Sequence, residues 1–332
     1  MYLIWVKFII CAGLIFFAGK QVARYADAIA EKTGLSRLWI GVILVSFTTS
    51  LPELFTGIGS VVFVNAPDLT VGNLFGANSY NLLNIALIDL LNRPGPLLGM
   101  ISRGQLLTAA FSLVPVVLAA IAITLSGNGI STLSIANIGI WSAGIFLSYC
   151  VMVRVIYTFE KKNTKPEEDS NRHNAITLRN VWINFCASSV VIMGCGIWLA
   201  YIGKEMSGVL GLGDSFVGTL FLGLTTTLPE ITVSIAAILI GAKEIAIANM
   251  LGSNLFNMAI IFVDDVFYRK SPILSSVSPS HLYQAGVVVV MTAVIILAIA
   301  TKPKKKFFNV SWYTPVLIFV FLIGALISFR MR

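Results

Sequence analysis

The sequence predicts an all-α polytopic membrane protein, with ten transmembrane helices arranged as two inverted five-helix repeats and broken helices at the midplane. Three observations predict it. The 332-residue chain is 57% hydrophobic and 11% charged, with a mean hydropathy of +0.88, whereas a soluble domain carries about 25% charged residues. Apolar stretches of about 20 residues, long enough to cross the hydrocarbon core as a helix, recur along the whole chain. Two of its segments also repeat each other, each with a single glutamate in an otherwise uncharged run.

The ten spans are expected near residues 2–19, 38–63, 70–91, 105–125, 134–157, 180–202, 215–240, 245–267, 282–300 and 312–329. The first lacks the basic start and small-residue cleavage site of a signal peptide, so it is read as a membrane helix. If the N-terminus is outside, most of the 23 basic residues fall in inner loops, which places both termini outside. That bias accounts for the net charge of +8, and membrane lipid rather than nucleic acid is the expected surrounding. The longest polar stretch, near residues 160–179, contains EKKNTKPEEDSNRH and is read as a cytoplasmic linker. It would join a first half, 1–159, to a second, 180–332. Cys11, Cys150, Cys186 and Cys195 lie in apolar spans at no metal-ligand spacing, and packing is their expected role.

The repeat is specific. GVILVSFTTSLPE (41–53) matches GTLFLGLTTTLPE (218–230) at an offset of 177, which also pairs Gly34 with Gly211. GNLFGANSYN (72–81) matches ANMLGSNLFN (248–257) at 176, and that offset pairs Asp89 with Asp265. Five spans per half start the second half from the opposite side, so the repeat is inverted. Substrate sites in such architectures lie where the repeats meet, here near 38–91 and 215–267.

The repeated residues suit a hard cation. Glu53 is the only ionisable residue between Leu38 and Val64, and Glu230 is alone between Ser215 and Ile240. A charge at that depth is expensive and is a functional candidate by default. Pro52 and Pro229 have no N–H for the carbonyls of Thr48 and Thr225, so each helix must kink. Carbonyl oxygens near Thr48–Ser50 and Thr225–Thr227 are expected to lose helix partners. Such oxygens, with hydroxyls and a carboxylate, favour sodium or calcium over a soft metal. On the following span Asn73, Ala77, Asn81 and Asn84 share a face, as do Asn249, Ser253, Asn257 and Ile260. Asn78 and Asn254 point partly elsewhere, either bracing broken backbone or touching the ion. Asp89, Asp265 and Asp264 lie near span ends, where solvation or pairing with Arg93 and Arg269 is expected.

TTSLPE with GANSYN, and TTTLPE with GSNLFN, resemble the two α-repeats of the sodium/calcium exchanger family, within the cation/calcium antiporter superfamily. The resemblance implies a secondary active antiporter rather than an enzyme, exporting Ca²⁺ in exchange for Na⁺ by alternating access through a sliding pair of outer helices. The ten-helix count resembles prokaryotic members, which implies a bacterial or archaeal plasma membrane. No cofactor is implied; Ca²⁺ and Na⁺ bind as substrates. The implied ligands are Thr49, Ser50, Glu53 and Asn81 from the first half and Thr226, Thr227, Glu230, Ser253 and Asn257 from the second. The backbone carbonyls of Ser46 and Gly223 would add to them.

Three positions depart from the family pattern. Ala77 stands where a serine is usual, Asn81 and Asn257 are both amides where some relatives carry an aspartate, and Thr227 replaces a serine. Two formal negative charges are neutralised by one Ca²⁺ or two Na⁺. Two carboxylates close together in a low-dielectric site also attract protons, so H⁺ is the alternative coupling ion, and another divalent cation the alternative cargo. A remote alternative is an intramembrane protease, because GLGD (211–214) fits the short GxGD pattern. That reading lacks a second aspartate in a Tyr-Asp dipeptide.

Overall fold

The structure is a computed structural model that describes residues 2–33, 46–102, 104–128, 133–135, 137–163, 177–239, 243–308 and 310–331. The start of the second expected span, Gly34 and most of the expected linker lie outside these residues. Among those described, nine helical stretches are long and apolar enough to cross a membrane. The second expected span is represented by α2 (Ser46–Thr49) and α3 (Leu51–Val62).

The first helix, α1 (Tyr2–Thr33), runs well past the expected end near residue 19. After α3 come α4 (Pro67–Leu91), a 3-10 turn (Leu97–Gly99), α5 (Gly104–Gly127) and α6 (Ile140–Asn163). The fifth expected span begins later than its hydropathy suggests, because Ser134–Ile135 and Ile138–Gly139 form a two-residue hairpin. The second half repeats the order. It runs through α7 (Leu178–Leu210), α8 (Asp214–Val217), a π-helical segment (Gly218–Leu222), α9 (Gly223–Thr226) and α10 (Leu228–Leu239). It closes with α11 (Lys243–Tyr268), a second 3-10 turn (Ile273–Ser275), α12 (His281–Thr301) and α13 (Tyr313–Arg330). At the sequence offsets of 177 and 176, α2 and α3 coincide with α9 and α10, and the two 3-10 turns coincide with each other.

Helices α4 and α11 are buried along most of their length. Without a hydrophobic drive between helices in lipid, close backbone approach through small residues must hold such a core. Glycines supply it. A methyl at Gly72 would meet the Ser215 carbonyl at 2.7 Å, and one at Gly218 would meet that of Leu69 at 2.6 Å. Thus α4 lies backbone to backbone on the π-helical segment. The outer helices α1 and α7 pack along each other, with Ile4, Cys11 and Ile15 against Cys195, Leu199 and Ile202. Cys11 and Cys195 are packing residues, as expected, the Cys11 thiol donating to the Cys195 carbonyl at 3.3 Å. Cys150 and Cys186 instead lie on the outer surface.

The aspartates near the span ends overturn their sequence reading. Asp89 and Asp265 are buried and pair with neither Arg93 nor Arg269. Asp89 accepts from Leu97 N at 2.8 Å, the Tyr313 hydroxyl at 2.6 Å and the Thr314 hydroxyl at 2.9 Å, with Lys306 at 3.6 Å. Asp265 accepts from Ile273 N at 2.6 Å, Gly139 N at 2.8 Å and the Ser142 hydroxyl. Each carboxylate fastens the turn eight residues after it, and each reaches the final helix of the other half. Buried away from water, both carboxylates are satisfied by backbone N–H groups and hydroxyls instead.

Candidate functional site

The proline hinges place the site. Pro52 sits in the first turn of α3, and Ser50 joins it to α2 with φ −89° and ψ 10°. The hinge is tighter than the sequence suggests, because the carbonyls of Ser50 and Thr227 are not released. They accept from Leu54 N and Ile231 N at 3.2 Å each. The carbonyls of Ser46 and Gly223 also close their own turns, on Ser50 N at 3.0 Å and Thr227 N at 3.3 Å.

Each half reaches into the other by matching contacts. Thr49 donates to Asn249 Oδ1 at 3.3 Å, and its mate Thr226 donates to Asn73 Oδ1 at 3.0 Å. Asn81 Nδ2 donates to Asn254 Oδ1 at 3.0 Å, and its mate Asn257 donates to Asn78 Oδ1 at 3.2 Å. Asn254 also donates to the Asn78 carbonyl at 3.3 Å. Asn78 and Asn254 are thus cross-ties between α4 and α11. Asn73 and Asn249 orient the threonines; both stand on the polar faces read from the sequence, and the 176-residue offset marks them as a pair.

The nine residues implied by the family resemblance are all fully buried. Thr226 lies beside Glu53 and Thr49 beside Glu230, and the two carboxylates are near enough for their charges to interact. Both oxygens of Glu53, Glu230 Oε2, Asn81 Oδ1 and Asn257 Oδ1 receive no hydrogen bond from any described residue. Buried acceptors without donors are costly. A hard cation satisfies such a set without needing donors.

The two carboxylates are not equivalent. Glu230 Oε1 accepts from Ser50 at 3.1 Å and Ser253 at 3.4 Å. Glu53 has no matching pair. The mate of Ser253 is Ala77, and the mate of Ser50 is Thr227, whose hydroxyl turns back onto the Gly223 carbonyl. Thr49 and Thr226 also reach carbonyls of their own turns, Ser46 at 3.3 Å and Leu222 at 3.0 Å, but each shares its hydroxyl with an asparagine of the other half, whereas the Thr227 hydroxyl stays on Gly223. Asp214 of the GLGD pattern lies at the start of α8 in an ion pair with Lys204 at 2.6 Å, away from these groups.

A family profile described as sodium/calcium exchanger protein matches residues 3–159 and 180–330. The chain belongs to the sodium/calcium exchanger family. Its relatives in the family include the sodium/calcium exchanger MaX1 of Methanosarcina acetivorans, 24% identical, with 88% of this chain and 91% of that one covered. The putative antiporter CaxA of Alkalimonas amylolytica is 24% identical over 75% of each chain. An uncharacterized membrane protein of Methanocaldococcus jannaschii is 21% identical over 96% of this chain and 95% of its own. The fold matches the solved sodium-calcium exchanger NCX_Mj soaked with 10 mM Na⁺, with a TM-score of 0.63, 19% identity and 98% of both chains covered. A Sr²⁺ soak of the same exchanger matches with a TM-score of 0.63 and 18% identity. The chain is therefore an integral membrane protein with an exchanger fold.

Proposed function

We propose that this exchanger moves Ca²⁺ out of the cell against Na⁺ moving in. Its two halves, residues 1–159 and 180–332, would expose one shared site alternately to each side. The observation that carries this reading is the set of buried oxygens without donors, contributed by both halves around Glu53 and Glu230. Thr49, Ser50, Asn81, Thr226, Ser253 and Asn257 complete the proposed ligand set, and Thr227 joins it if its hydroxyl rotates off Gly223. The charge count fits one Ca²⁺ or two Na⁺. Family membership supports cation/calcium antiport, and the basic inner loops support a plasma membrane orientation with both termini outside.

Alternating access needs helices that slide. Helices α1 and α7 are suited to it because they meet the hinged helices through glycine. Gly19 lies against Pro229, and a methyl at Gly196 would meet Thr56 N at 3.0 Å. These two glycines are themselves 177 residues apart.

Coupling to protons is the second reading, favoured by the missing hydroxyls around Glu53. Proteoliposomes loaded with Na⁺ should accumulate ⁴⁵Ca²⁺ when diluted into Na⁺-free buffer, at equal pH on both sides. Uptake that ignores Na⁺ and follows a pH gradient would replace Na⁺ with H⁺ as the coupling ion.

A further inference from the structure

Beyond the central site, α11 carries one more carboxylate that the structure leaves unexplained. Asp264 is fully buried, and neither of its oxygens receives a hydrogen bond from any described residue. It stands seven residues, about 10 Å of helix, beyond Asn257. Ser253, Asn257 and Asp264 follow at helical spacings on one face. On α3 the matching stripe is Glu53, Thr56, Gly57 and Ser60. The stripes meet at Gly57, where a methyl would lie 2.5 Å from Asp264 Oδ2 and 2.7 Å from Oδ1. The hydroxyls of Thr56 and Ser60, either side of Gly57, are also buried without a partner among the described residues.

The corresponding place in the other half is built differently. The mate of Asp264 is Ile88, and the mate of Gly57 is Ser234. Ser234 is satisfied by the Ala246 carbonyl at 3.3 Å and Asn249 Nδ2 at 3.2 Å. A hydrogen-bonded Ser234 and an apolar Ile88 in one half are thus replaced by Gly57 and an unbonded Asp264, in close approach, in the other. The asymmetry places an anionic oxygen group one step along the path by which α3 and α11 leave the central site.

We propose that Asp264, with Thr56 and Ser60, is a second cation station between the central cluster and the face where α3 and α11 end. It takes the hard cations that the exchanger carries, Ca²⁺ or Na⁺. This rests on the cation-exchange reading and adds a third carboxylate to a chain whose Asn81 and Asn257 are amides.

Equilibrium binding of ⁴⁵Ca²⁺ and, separately, ²²Na⁺ to the purified full-length protein at fixed pH tests it. Wild-type protein is expected to show a tight and a weak component. Asp264→Asn should lose the weak component and keep the tight one, while Glu53→Gln should do the reverse. The isotope that loses the component identifies the ion of the station. Gly57→Ala, which displaces the carboxylate without altering charge, should weaken the same component about tenfold or more, guarding against a folding defect in the first variant. If Asp264→Asn superimposes on wild type for both ions while Glu53→Gln abolishes tight binding, the station does not exist and the central reading stands. If Glu53→Gln also binds normally, the central reading fails with it.

Discussion

At the scale of single residues, the unequal treatment of two symmetry-related glutamates is the informative feature. Glu230 holds two hydroxyl donors, and Glu53 holds none among the described residues, because Ala77 and Thr227 replace the groups that would supply them. Ala77→Ser should return a hydroxyl to the Glu53 side, and the Na⁺ concentration for half-maximal exchange should fall by about tenfold, since a bond to a charged group contributes on the order of 1.5 kcal/mol. Protons and cations compete for the same oxygens. Apparent Ca²⁺ affinity should therefore weaken as pH is lowered at constant Na⁺, and strengthen as it is raised, which a ⁴⁵Ca²⁺ titration at several pH values reads directly. Glu53, Glu230 and the asparagine faces were legible in the sequence, because an isolated charge in an apolar helix and a polar stripe at spacings of three and four each have few explanations. The direction of the Thr227 hydroxyl was not, since a threonine in a helix satisfies itself on its own preceding turn as readily as it faces a ligand.

At the scale of elements, the chain separates carboxylates that hold structure from carboxylates left for the proposed cation. Asp89 and Asp265 are saturated with donors from a 3-10 turn and from the far half, whereas the site glutamates are starved of them. Asp89→Ala should lower stability by about 3 kcal/mol, because it leaves the Leu97 N–H and the Tyr313 and Thr314 hydroxyls without their acceptor and Lys306 without its counter-charge in a buried place. Its thermal midpoint in detergent should drop while Ca²⁺ affinity of the folded fraction stays the same. Asp265→Ala should behave alike. The 176-residue offset already paired these two aspartates in the sequence. Their burial was not legible, because it depends on the N-termini of α6 and α13, 123 residues away in one case and 224 in the other. The proline hinge was legible as a kink, but not that the carbonyls of Ser50 and Thr227 at its edge return to the ladder through Leu54 N and Ile231 N.

At the scale of the whole molecule, duplication gives two half-sites facing each other, and the outer pair α1 and α7 rides on glycine contacts against the hinged helices. Gly19→Leu and Gly196→Leu should jam that contact. Exchange should fall by about tenfold or more while equilibrium Ca²⁺ binding persists, which separates movement from affinity. The fold class was almost wholly legible, from hydropathy and the repeat alone, because lipid admits few solutions for a chain of this composition. The central claim is that Glu53 and Glu230 hold one cation jointly. High-affinity ⁴⁵Ca²⁺ binding to Glu53→Gln, Glu230→Gln and the double variant tests it most directly. Joint ligation predicts that each single substitution abolishes this binding as completely as the double. Independent half-sites, each single variant keeping part of the binding and only the double losing all of it, would contradict the account.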